Sequence, residues 1–192
     1  AVLPRPAWFR IAVTLGRFAY PFRTIMPKRL RQLLDVAPKP AVSEVETVQA
    51  APVQPRMRVA IAAGCVQQVA AAHIDRAAER LLLRLGCEVV NIKGDGCCGA
   101  ISHHLGKADE ALGWVRKNVA AWSREHTKAP LDAIVMTASG CGTVVKDYGY
   151  LLKDDEQWAA AATELSGLVK DITEVVEVLD LPSDSQPRAL RV

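Results

Sequence analysis

From Met57 onward the chain alternates short apolar runs with stretches of helical period. Residues 58–63 (RVAIAA) make a nearly unbroken apolar run of strand length. Residues 70–85 then set Ile74, Ala77, Ala78, Leu81, Leu82 and Leu85 on one helical face, with Gly86 where a helix C-cap belongs. Residues 88–92 (EVVNI) predict a second strand. After Gly99, the apolar positions Leu105, Ala108, Leu112, Val115, Val119 and Trp122 recur at three- and four-residue spacing and predict a helix. Residues 131–138 (LDAIVMTA) predict a third strand, and helices follow over 143–152, 156–169 and 172–179. Strands apolar along their whole length must be covered twice, so the pattern predicts an α/β fold, a parallel sheet with helices on both faces. It shows no short internal repeat or low-complexity tract.

The first 40 residues read differently. Arg5, Arg10, Arg17, Arg23, Lys28, Arg29, Arg31 and Lys39 face a single acid, Asp35, and prolines at 4, 6, 21, 27, 38 and 40 cut the segment into helical pieces near 8–20 and 28–34. A basic amphipathic arm is a candidate for peripheral contact with an anionic membrane. The plainer reading is a connector whose apolar face, Trp8, Ile11, Leu15 and Phe18, rests on a neighbouring domain. The prolines favour it, because they prevent one long amphipathic helix. Residues 41–56 (AVSEVETVQAAPVQPR) read as a linker, 57–182 as the α/β domain and 183–192 as a tail.

Length and charge narrow the classes further. A chain of 192 residues, half of them hydrophobic, buries one sizeable core, and a net charge of +3 favours neither disorder nor nucleic-acid binding. No run reaches the ~18–20 apolar residues of a membrane span. The chain opens on Ala1 without a secretory pattern and reads as a partial sequence. Five cysteines make an odd count that suits a reducing cytoplasm better than a disulfide framework. The expected location is cytoplasmic, at the inner face of the cell membrane should the arm meet lipid.

Their placement carries the chemistry. Cys97 and Cys98 are adjacent, about 3.8 Å apart at Cα, too close for an ordinary disulfide. Glycines at 94, 96 and 99 let the backbone approach a bulky group there. Loops after parallel strands all emerge at the carboxyl edge, where α/β proteins hold their ligands. Cys65 follows the first strand, Cys97 and Cys98 the second and Cys141 the third, so these four should converge. Cys87 opens the second strand at the opposite edge and reads as a small core residue. Four thiols at one point suit zinc or an iron–sulfur cluster. Their dispersal over three loops, rather than in C-x-x-C pairs, argues against a zinc ribbon. Mere buried thiols would not explain one position recurring in successive strand–helix units. A thiol–disulfide catalyst at Cys97 and Cys98 ranks last, since redox dithiols usually sit as C-x-x-C at a helix start.

Gly64-Cys65-Val66-Gln67-Gln68, Gly96-Cys97-Cys98-Gly99-Ala100 with His103-His104-Leu105-Gly106, and Thr137-Ala138-Ser139-Gly140-Cys141-Gly142 with Val145-Lys146-Asp147-Tyr148-Gly149 closely resemble the iron–sulfur subunits of bacterial glycolate oxidase (glycolate dehydrogenase). More broadly they resemble the cysteine-rich CCG domain shared with heterodisulfide reductase and lactate-utilisation proteins. Two features depart from that pattern. The C-x-x-C that ends it has Ala138 at its first position, leaving four thiols where fully liganded members offer five. The C-x2-C-x2-C-x3-C run of the family's ferredoxin-like part is missing from the sequence. The resemblance implies an electron-transfer subunit of a complex that oxidises glycolate or a similar 2-hydroxy acid. It implies flavin-containing partner subunits, a quinone or other acceptor, and an iron–sulfur cluster on Cys65, Cys97, Cys98 and Cys141, with zinc as the alternative metal. A non-redox scaffold module is the alternative function.

Other residues draw plainer readings. His103 and His104 are candidate extra ligands, but one capping and one exposed histidine is the simpler expectation. Lys93, Lys107 and Lys146 read as solvated, Gln67 and Gln68 as solvated loop residues, and Tyr148 as core. Working phosphate-loop and dinucleotide motifs are missing from the sequence, so nucleotide chemistry is not expected.

Overall fold

The computed structural model describes residues 3–36, 54–62 and 64–180. In chain order they form α1 (Pro6–Ala19), a 3₁₀ segment (Tyr20–Ile25), α2 (Lys28–Val36), β1 (Met57–Ile61), α3 (Gln67–Ala70), α4 (Ala72–Arg84) and β2 (Cys87–Val90). There follow α5 (Ala100–His104), α6 (Ala108–Lys128), β3 (Ala133–Met136), α7 (Ser139–Lys146), α8 (Tyr148–Leu151), α9 (Ala159–Gly167), β4 (Val169–Asp171) and α10 (Ile172–Leu179).

The four strands are all parallel, in the order β2-β1-β3-β4. Met57 stands opposite Cys87, Val59 opposite Ala133 and Ile134 opposite Val169. Side chains alternate across this sheet, and each face has its own core. On one face Val59, Ala133 and Val135 meet Leu82 and Leu85 from the α4 side and Val175 and Leu179 of α10. On the other, Ala60, Ala62, Ile134 and Met136 meet Val115, Val119 and Trp122 of α6 and Ala162 and Leu165 of α9. Every one of these side chains is buried, and each large aliphatic one stabilises the fold by about 1.5–3 kcal/mol. The expected α/β fold, with helices on both faces of a parallel sheet, is the fold observed.

The strand order sets the site. The chain leaves β1 toward β2 on one side, while β3 lies on the other, so the connections after β1 and β3 diverge and open a crevice at the carboxyl edge.

Several expectations need correction. Residues 156–169 are not one helix: α9 ends at Gly167 and a fourth strand begins at Val169. That strand is three residues long with a single apolar member, and it ends on Asp171, which opens α10 with a capping box. The stripe from Leu105 to Trp122 is interrupted too. Gly106 (φ +72°) separates α5 from α6, which leaves Leu105 63 % exposed rather than buried. Ile74, expected on the inner face of α4, is exposed.

The arm is helical where its sequence predicts. Arg31 donates to the carbonyls of Arg23 and Thr24, and Arg23 pairs with Asp35. Val13 is buried and α1 lies against α3, but Trp8, Ile11, Leu15 and Phe18 stay exposed. Residues 41–53 of the expected linker and the tail at 183–192 lie outside the described residues. Among the described residues no helix is long and apolar enough to cross a membrane.

Candidate metal centre

All four predicted cysteines come together, and Cys87 does not. Cys87 pairs with Met57 at the amino edge and is fully buried in the α4–α10 core. At the carboxyl edge the thiols of Cys65, Cys97, Cys98 and Cys141 form a row of successive contacts, Cys65 to Cys97, Cys97 to Cys98 and Cys98 to Cys141. Cys65 sits in the turn after β1 and Cys97 and Cys98 in the loop after β2. Cys141 lies not in a loop but in the first turn of α7. Cys65, Cys98 and Cys141 border a cavity of about 320 Å³ whose wall is otherwise mostly apolar, including Val66, Ala100 and Ile101. Ala138, which stands where the family pattern has its fifth cysteine, lines the same cavity. Cys97, with no exposed surface, lies between its two neighbours in the row.

Crowding four thiols in a buried place governs their protonation. Contact with Cys97, then burial, pushes the Cys65 thiol far above its ordinary value. Contact with Cys65 pulls Cys97 down, but its contact with Cys98 and burial outweigh this and leave it raised. Contact with Cys141, then burial, pushes Cys98 up to about 11. Cys141, at the end of the row, falls below its ordinary value because the Cys98 S–H donates to it. Backbone N–H groups at Cys65 and Val66, Gly99 and Ala100 face the sulfurs of Cys65, Cys97 and Cys98 respectively and favour their thiolates. Cys65, Cys97 and Cys98, raised from an ordinary value that already lies above neutral, hold their protons at pH 7, and a metal must displace those protons on binding.

Soft sulfur donors beside an apolar cavity, with N–H groups aimed at the sulfurs, fit an iron–sulfur cluster. They do not form a closed cage for one ion: among the described residues no three His, Cys, Asp or Glu side chains are grouped to hold a single metal.

The Cys97–Cys98 loop is held by two residues that sequence reasoning missed or undervalued. Asn118, 1 % exposed, sits among Val115, Val119 and Trp122 on the inner face of α6. Its Oδ1 accepts from the Gly96 N–H at 2.9 Å, and its Nδ2 donates to the Cys97 carbonyl and to Tyr148 Oη, each at 2.9 Å. Tyr148, buried as expected and stacked on Trp122, donates its hydroxyl to the Cys98 carbonyl at 2.9 Å. An asparagine inside an apolar helical stripe was the available signal for Asn118. Burial pushes the Tyr148 phenol well above its ordinary range, so it stays a donor. Gly99 (φ +85°) closes the loop, and a Cβ there would meet the Ala111 carbonyl of α6 at 3.1 Å.

Gln67 is not the solvated residue expected. Its amide donates to Asp75 Oδ1 and Thr137 Oγ1, and Thr137 in turn donates to Asp75, which braces the Cys65 turn against the end of β3. His103 and His104, expected as one capping and one exposed histidine, end α5 and are both exposed. Lys107 and Lys146 are exposed and paired with Glu110 and Glu174.

Residues 59–146 match the CCG cysteine-rich domain. The chain is 38 % identical over 178 residues to the glycolate oxidase iron-sulfur subunit of Escherichia coli K12, covering 91 % of this chain and 40 % of that protein. It is 31 % identical to the probable glycolate oxidase iron-sulfur subunit of Bacillus subtilis, over 65 % of this chain and 27 % of that one. Lactate utilization protein A of Bacillus velezensis is 28 % identical over 64 % of this chain and 50 % of its own length. The chain thus spans half or less of these relatives. No solved structure matches. Residues 59–146 of this chain carry a CCG cysteine-rich domain, the stretch that holds all four converging cysteines.

Proposed function

We propose that this chain is the electron-transfer iron–sulfur part of a complex oxidising glycolate or a related 2-hydroxy acid, with Cys65, Cys97, Cys98 and Cys141 as the cluster's ligands. The observation that carries the reading is the row of four thiols at one sheet edge, delivered by three separate connections. The names of the relatives, iron–sulfur subunits of glycolate oxidase and lactate utilization proteins, support the redox role and the substrate class. Residues 57–182 form the cofactor-holding unit, and the basic arm connects it to the rest of the complex. Flavin-containing subunits are the electron source and a quinone or another acceptor the destination. The expected location is the cytoplasm.

When bound, the cluster supplies one-electron storage; the protein's own residues position it. The loops after β1 and β2 and the first turn of α7 fix the sulfurs, and the apolar cavity wall excludes water. N–H groups aimed at the sulfurs stabilise negative charge on them and so favour the reduced state. Oxidation of the hydroxy acid itself is assigned to the flavin-containing partners.

Anaerobic purification tests this. The wild-type chain should be brown, with iron and acid-labile sulfide in comparable amounts. Cys65→Ser, Cys98→Ser and Cys141→Ser should each lose most of both, whereas Cys87→Ser should keep them. A colourless protein with one zinc per chain would overturn the redox assignment in favour of a scaffold.

A further inference from the structure

We propose that Asn118 and Tyr148 act as a polar clamp that aims the Gly99 N–H at the Cys97 sulfur. They are positioning residues that tune the metal centre without touching it. The inference concerns residues outside the cysteine motif and rests on the reading that the thiols hold iron.

The hydrogen-bond pattern admits one orientation. The Cys98 carbonyl can only accept, so the Tyr148 hydroxyl must donate to it at 2.9 Å. That hydroxyl then has only lone pairs left for Asn118, so the carboxamide must turn its NH₂ toward Tyr148. The second N–H of that group reaches the Cys97 carbonyl, and Oδ1 is left facing the Gly96 N–H, which can only donate. Each partner determines the next. An Asn118 flipped by 180° would set carbonyl oxygen against carbonyl oxygen and N–H against N–H.

The clamp's grip on the sulfur follows from the planarity of the peptide bond. The Cys98 carbonyl and the Gly99 N–H belong to the same trans unit and point in opposite directions. Tyr148 holds the carbonyl end, so the N–H end is turned onto Cys97 Sγ, at 3.5 Å. Removing the hydroxyl leaves a buried carbonyl unpaired, and the peptide unit is then free to swing toward other partners. The N–H leaves the sulfur as it does so. A sulfur with one fewer N–H donor holds negative charge less well, which lowers the reduction potential of iron bound there. Burial removes the alternative of solvent: Asn118, Tyr148 and Cys97 are each 1 % exposed or less.

Tyr148→Phe keeps the ring, its stacking on Trp122 and the fold while deleting the hydroxyl. Asn118→Leu keeps the approximate volume and deletes every polar contact. Ser102→Ala is the control, because Ser102 is equally buried, lies near the same loop and has an Oγ with no hydrogen-bond partner. In the full chain, reconstituted with iron and sulfide, both clamp variants should show a midpoint potential below wild type and altered electron-paramagnetic-resonance g values. Their iron affinity should fall about 10–100-fold, the usual effect of losing an outer-shell partner. Ser102→Ala should match wild type in all three. Alkylation of Cys97 in the metal-free chain, which proceeds through its thiolate, should be slower in both variants, a readout independent of any cluster. If wild type takes up no iron, the preceding functional reading fails, and the alkylation rates alone then decide the clamp. Wild-type potential, spectrum and alkylation rate in Tyr148→Phe would overturn it. Should the variants not fold, fast exchange of the Asn118 carboxamide protons in wild type would overturn it as well.

Discussion

Replacing Gly99 by alanine probes how tightly the vicinal cysteines are pressed against α6. Two costs combine there. At φ +85° an L-residue is strained by about 1–2 kcal/mol. The new Cβ would also stand 3.1 Å from the Ala111 carbonyl, a helix backbone atom that cannot swing aside. Relief requires moving the loop or α6, at about 1–3 kcal/mol for such overpacking. The smaller unfolded-state entropy of alanine returns about 0.4–1 kcal/mol. The expected loss is about 2–4 kcal/mol, with reduced iron uptake because the displaced segment carries Cys97 and Cys98. Two other glycines separate the contributions. Gly106 has φ +72° with nothing within 4 Å, so Gly106→Ala isolates the backbone strain and should cost about 1 kcal/mol or less. Gly113 lies inside α6 with open space around it, so Gly113→Ala should stabilise by about 0.5–1 kcal/mol. Urea denaturation of the three variants, followed by circular dichroism, gives the ranking. Gly99→Ala no less stable than Gly106→Ala would refute the reasoning, because it would mean α6 does not confine the loop.

Other expectations follow from the same geometry. Cys87→Ala should lower stability by about 1 kcal/mol through lost packing and leave metal content per chain unchanged, measured by metal analysis beside denaturant melts. Arg58→Ala should lower the denaturation midpoint more than Arg116→Ala. The Arg58 guanidinium is 17 % exposed and bonds Glu125, Glu88 and the Ala129 carbonyl, whereas Arg116 is 46 % exposed and pairs with Asp155. Contacts with Arg58, Arg116 and Lys146 hold the carboxyls of Glu125, Asp155 and Glu174, in that order, below their ordinary values. These depressed groups stabilise the fold fully above the unfolded values of 4.5 for glutamate and 3.8 for aspartate, and the benefit is lost as pH falls below them. Thermal melts should therefore be flat from pH 7 to about pH 5 and drop below about pH 4.5, and a midpoint that rises on acidification would contradict the assignment.

What the sequence revealed, and what it hid, has a physical basis. β1, β2 and β3 are legible because strands buried on both faces must be apolar on both. The convergence of Cys65, Cys97, Cys98 and Cys141 then follows from parallel topology, as does the exclusion of Cys87. β4 was invisible because three residues with one valine carry no period, and its identity comes from pairing with β3. Leu105 was misplaced because the stripe counts residues but not the turn at Gly106. Gln67 and Asn118 escaped for another reason. Their roles depend on partners 70 and up to 30 residues away in sequence, and no local pattern encodes such meetings.

The sheet order has a consequence for biogenesis. β1 is central, and its pairing with β3 joins residue 59 to residue 133. A nascent chain that has not yet released Cys141 from the ribosome lacks the last of its four sulfurs, so the site stays incomplete until β3 and the first turn of α7 have emerged. Delivery machinery that loads metal during synthesis would meet only a stub with Cys65 and the vicinal pair loosely tethered. Loading on all four sulfurs would therefore wait for the first turn of α7, and a truncation just short of residue 141 should yield a chain that never acquires colour.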